Sequence, residues 1–274
     1  MKQLPRTDLA AERRRADESL PGTMYKEEKA GAFTISRIMI LDEESEEVIG
    51  RPRGRYVTLS LPAPRLLSDT ERSHLSELLC RELATMCKAL TDASEIKGKS
   101  VLFVGLGNAH LTSDSLGPAV ASHLSATAHL EDLDPAWFRS LGCARLSILT
   151  PGVLANSGIE AAETVALLCE KHRPALVIAV DALAARDPVR LARTIQLCDT
   201  GITPGSGLGN HRLGLNSETL GVPVLSLGVP TVIDYPIEDG DEPLFVTPKD
   251  IDAEIAVLAE IIGQAISDLL HLPA

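Results

Sequence analysis

Two aspartates stand where an open α/β sheet places its chemistry. Asp114 lies in "GLGNAHLTSDSLGP" (105–118), after one short apolar run and just ahead of a helical pattern. Asp181 lies in "VDALAAR" (180–186), at the close of another apolar run. Ligands of such sheets bind beyond the carboxyl ends of the strands, so two carboxylates in those places can converge. A close pair would share a proton, one acting as base on a water and the other as acid toward the leaving group. That is peptide hydrolysis without a covalent intermediate. Joined by His110 or His211, the same carboxylates could instead hold a divalent metal. Each also has a plain structural explanation. Asp114 can cap the helix that follows it, and Asp181 can bind a turn or pair with Arg186 or Arg193.

Other motif-like strings carry less. "DTG" (199–201) matches the active-site triplet of pepsin-like proteases, but the second copy and the β-rich bilobal pattern are missing. "GLGN" (105–108) has His110 where a dinucleotide loop needs its last glycine, and "GSGLGN" (205–210) lacks the strand-then-helix setting. Five glycines among residues 201–214 still mark a loop of unusual backbone angles, suited to lining a pocket. Cys80, Cys87, Cys143, Cys169 and Cys198 are odd in number and scattered, as expected of buried free thiols in a reducing compartment.

The elements that must position the aspartates follow from apolar spacing. "SVLFVGLGN", "RLSILTPG", "ALVIAVDAL" and "PVLSLGVPT" read as four strands, each with a helix or glycine-bearing loop after it. Helical patterns cover Ser68 to about Ala93, Ile159 to His172, and about Pro248 to Leu270. Upstream, "FTISRIMIL" (33–41) and "RYVTLSL" (55–61) read as strands joined by the acidic turn "DEESEE". The expected fold is α/β, a mostly parallel sheet sandwiched between helices, with an antiparallel edge excursion near the N-terminus. Only 3% of residues are aromatic, so aliphatic side chains must fill the core. A net charge of −12 speaks against direct nucleic-acid binding. No apolar run is long enough for a membrane span, and no signal-peptide pattern opens the chain. Residues 1–31 are polar and aperiodic up to Gly31, which predicts a mobile arm.

Taken in order, "RTDLAAE", "GLGN", "TSDSLGP", "TPGVLANSGIEAAE", "VIAVDALAAR", "TIQLCDTGITPGSGLGN", "LGVPVLSLGVPTVID" and "LFVTPKDID" resemble the germination proteases of spore-forming bacteria. That resemblance implies an endopeptidase that degrades the small acid-soluble proteins coating spore DNA. No cofactor is expected, the alternatives being a metal-dependent peptidase on the same aspartates plus histidine, or a catalytically inactive binding module of the same fold. The resemblance also implies a self-trimming zymogen, a homotetramer in the cytoplasm of the forespore and spore core, and a fold like that of hydrogenase maturation endopeptidases. The family's two essential aspartates match Asp114 and Asp181. Loops 105–113, 151–158 and 201–212 would hold the peptide, with Asn108, Gly205, Gly207 and Asn210 as contributors. Substrates of the family are cut after an acidic residue, for which Arg186, Arg193 and Arg212 are the candidate partners. "TDLAAE" (7–12) copies the layout of those substrates, which places self-cleavage between Asp8 and Leu9. The implied organisation is a propeptide over 1–8 and a single peptidase domain over 9–274, its residues 9–31 forming the arm. The segment between "PTVID" and "LFVTPKDID" is shorter than in longer members of the family.

Overall fold

A computed structural model of the chain describes residues 7–13, 21–91, 96–203, 213–235 and 244–273. Its centre is β6 (Leu176–Ala185), whose run of aliphatic residues is buried on both faces. A strand buried on both faces needs no polar alternation, which is why "LVIAV" reads as a continuous apolar run. β4 (Ser100–Gly105) and β8 (Val224–Tyr235) flank it in parallel, and β5 (Arg145–Leu149) lies parallel beyond β4. The remaining strands are antiparallel: β7 (Thr194–Cys198) against β8, then β3 (Gly54–Ser60), β2 (Phe33–Ile40) and β1 (Thr23–Ala30). β9 (Leu244–Val246) pairs with the far end of β8.

The pleat sorts the core into two layers. Val101 and Phe103 of β4 face the long helices Asp69–Thr91 and Ile251–Leu270, while Leu102 and Val104 face helix Ala161–His172. Aliphatic side chains dominate both layers, as the composition requires. The architecture is the expected α/β sheet, with parallel inner strands and antiparallel edge strands.

Three local expectations are corrected. "DEESEE" is not a turn: residues Glu43–Ile49 form a helix. Asp42 caps it by accepting from the Ser45 amide at 2.9 Å, and Gly50, at φ +66°, closes it. Second, the antiparallel part is a four-strand ribbon, not two strands, because "TIQLC" joins β3 to β8 as β7. Third, residues 9–31 are not a mobile arm where they are described. Thr7 to Ala10 are buried against the sheet, and Thr23–Ala30 pairs along its whole length with β2. β1 exposes most of both faces, so it has no buried side and no apolar period to read.

The free cysteines sit largely inside: four are buried and Cys80 is half-buried. Burial pushes the Cys87 thiol up to about 12, and raises Cys80 and Cys169 as well. Alkylation of the native protein at pH 8 should therefore be slow, with all five thiols labelling together in denaturant. A native thiol that labels at the denatured rate would refute the packing of that cysteine.

Candidate functional site

Asp114 is held by the loop that leaves β4. Gly107 adopts φ +109°, and a Cβ there would run into the Asp114 carbonyl oxygen and crowd its carboxylate. That close approach lets the Asn108 amide donate both to the Asp114 carbonyl oxygen, at 2.9 Å, and to its Oδ2, at 3.0 Å. Asn108 Oδ1 in turn accepts from the His110 amide at 3.0 Å, shaping the loop from inside. Thr231 of β8 donates its hydroxyl to the Ser113 carbonyl at 2.6 Å and ties the same turn to the sheet. Gly117 brings the following helix onto the strand ends, since any side chain there would strike Leu106 and Val180 backbone.

Asp181 lies on β6 just beyond the last pairing of that strand with β4, at Gly105 and Val180. It does not close the strand, because β6 runs on to Ala185 beside β8. Asp181 is 4% exposed, and its Oδ1 accepts from the Ala182 amide at 2.9 Å. Past Val180 the β4 side of β6 is open, and there a cleft of about 200 Å³ forms. Asp114 and Asp181 both line it, with Gly107, Ser113, Gly152 and Thr231.

Asp8 lines that cleft too. Its amide donates to the Ala184 carbonyl at 2.9 Å, and its Oδ2 accepts from the Ala184 amide at 2.9 Å. Arg51 stands 3.6 Å from the other carboxylate oxygen and donates to the Thr7 carbonyl at 2.8 Å. Gln196 of β7 grips the backbone on both sides of Leu9: Nε2 donates to the Asp8 carbonyl at 3.0 Å, and Oε1 accepts from the Ala10 amide at 2.7 Å. Leu9 is fully buried among Leu183, Ala185, Leu191 and Ile233. Glu12 accepts from the amides of Arg186, at 2.8 Å, and Asp187, at 3.0 Å, with Arg190 at 3.5 Å.

The residues read from the sequence fare unequally. Asp114 and Asp181 share the cleft, and Asn108 holds Asp114 through its amide. Arg186 meets the N-terminal segment through its backbone amide, while Arg193 is exposed and absent from the cleft lining. Gly205, Gly207, Asn210, His211 and Arg212 lie outside the described residues. His110 is exposed, and among the described residues no three His, Cys, Asp or Glu side chains gather as a metal site. Arg51, Gln196 and Arg190 escaped the sequence reading. "RPRGR" (51–55) looks like an ordinary charged loop, and nothing in local spacing links it to Asp8.

The germination protease family model matches residues 3–239. The chain belongs to the germination protease family. A germination protease of Caldanaerobacter subterraneus subsp. tengcongensis is 44% identical over 232 residues, covering 84% of this chain and 69% of the relative. Those of Clostridium tetani and Bacillus cytotoxicus are 37% and 39% identical over 84% of this chain, and over 70% and 63% of their own lengths. Among solved structures, the [NiFe] hydrogenase maturation protease HycI from Thermococcus kodakarensis KOD1 aligns with 65% of this chain and 97% of its own, at TM-score 0.38 and 21% identity. Membership in the germination protease family gives the chain a protease role in spore germination, with proteins as its substrates. No helix among the described residues is long and apolar enough to cross a membrane.

Proposed function

We propose that this germination protease is an endopeptidase that opens the degradation of small acid-soluble spore proteins. Asp114 and Asp181 activate the water, and the enzyme needs no cofactor. It is made as a zymogen that cuts its own chain between Asp8 and Leu9, residues 1–8 being the propeptide and 9–274 the peptidase domain. It works as a homotetramer in the forespore and spore core.

The observation that carries the reading is the meeting of Asp114, Asp181 and Asp8 in one cleft. One carboxylate takes a proton from water as the water oxygen attacks the carbonyl carbon of the residue before the cut. The other carboxyl group gives its proton to the departing amide nitrogen as the C–N bond breaks. Each carboxylate is held by a backbone amide, Asp114 by that of Asn108 and Asp181 by that of Ala182, which supports their use as a positioned pair.

Intact-mass measurement of the purified full chain, before and after a mild drop in pH, tests the reading. The expected product begins at Leu9, having lost residues 1–8. A chain that keeps its N-terminus through activation, or is trimmed at another bond, overturns the self-cleavage.

A further inference from the structure

We propose that Arg51 and Arg190 are the specificity-determining residues of this site. Arg51 selects an acidic residue immediately before the cleaved bond, and Arg190 an acidic residue at the fourth place beyond it. The assignment rests on the peptidase reading given above.

The structure supports it through the way Thr7–Glu12 is seated. A segment packed merely as part of the core would bury apolar side chains and keep its acids in water. Here the reverse arrangement coexists with the apolar one. Asp8 is 8% exposed and faces Arg51, and the Glu12 side chain is 5% exposed and faces Arg190 and two backbone amides. Burying a carboxylate is costly unless charge and hydrogen bonds meet it, so each acid occupies a socket built for negative charge. Gln196 fixes the register between them, because its amide group bonds the carbonyl before Leu9 and the amide after it. A slip by one residue would leave both polar ends of Gln196 unmatched and carry Leu9 out of its apolar hole. Asp8 itself borders the aspartate cleft, so the register that satisfies both sockets also sets which bond lies nearest the catalytic pair. The segment thus offers Arg51 and Arg190 the two acids whose recognition the assignment gives to them.

The test is a pair of double-mutant cycles on the full chain, read as the rate of Asp8–Leu9 cleavage by intact mass. In the parent chain Asp8→Asn should slow cleavage by about tenfold or more, the ordinary loss for a charge-assisted contact. In an Arg51→Gln background the same change should cost nothing further. Glu12→Gln with Arg190→Gln should behave alike, and Arg51→Lys should restore part of the acid preference. A full Asp8 preference surviving in Arg51→Gln overturns the assignment of Arg51, and a full Glu12 preference surviving in Arg190→Gln overturns that of Arg190. Absence of any cleavage in the parent chain sinks the peptidase reading, and the assignment with it. Equal melting temperatures across the set separate lost recognition from lost folding.

Discussion

Asp114→Asn and Asp181→Asn, made separately, should each lower proteolysis by about 10²–10⁴-fold, the usual worth of a positioned acid or base. Both changes keep the size and shape of the side chain. The Asn108 amide can still donate to a carbonyl oxygen at position 114, and the Ala182 amide to one at position 181. Melting temperatures should therefore stay within a few degrees of the parent. The double variant should be scarcely worse than either single one, because groups that act as a unit do not contribute additively. The assays are self-cleavage by intact mass and breakdown of a small acid-soluble spore protein. Near-parental turnover in either single variant would remove that residue from the mechanism.

The second large effect is expected at a residue with no side chain. Gly107→Ala places a methyl group against the Asp114 carbonyl oxygen, at a φ of +109° that other residues rarely adopt. The cost in stability should be about 1–3 kcal/mol from backbone strain. The cost in turnover should be larger, about 10²-fold, because the loop must shift and carry the Asp114 carboxylate with it. Gly142→Ala is the matched control. It also has positive φ, but nothing lies within 4 Å of an added Cβ, and it ends a helix whose residues do not line the cleft. It should cost about 1 kcal/mol and leave turnover unchanged. Urea denaturation and self-cleavage rates, measured together, distinguish the two glycines. Equal activities would show that Gly107 has no part in holding Asp114.

Much of this was legible in the residues because burial leaves a period. The continuous aliphatic run of β6 and the one-sided pattern of helix Ile251–Leu270 follow directly from what each element packs against. Asp114 and Asp181 stood out for a related reason: each follows an apolar run that reads as a strand, although β6 continues past Asp181 to Ala185. β1 and the N-terminal segment did not stand out. β1 has no buried face, and Thr7–Glu12 owes its position to partners far along the chain, at 51, 184, 190 and 196. Pairing at such separation leaves no mark on local spacing. The sequence layout of "TDLAAE" pointed to the bond between Asp8 and Leu9, but Arg51 and Gln196 could be found only once the chain was folded.

The seating of Thr7–Glu12 also has a kinetic side. Only residues 13–22 separate Glu12 from the first residue of β1, so the peptide is tethered close to its own groove. A short tether gives a local concentration on the order of millimolar. An incoming protein must compete with that figure, whatever its intrinsic affinity. Breaking the Asp8–Leu9 bond would leave Leu9–Glu12 still joined to β1, so the tethered competitor would persist after the cut. Its release from the groove, rather than bond cleavage alone, would then set when outside proteins begin to be consumed, and a lag should separate the two events.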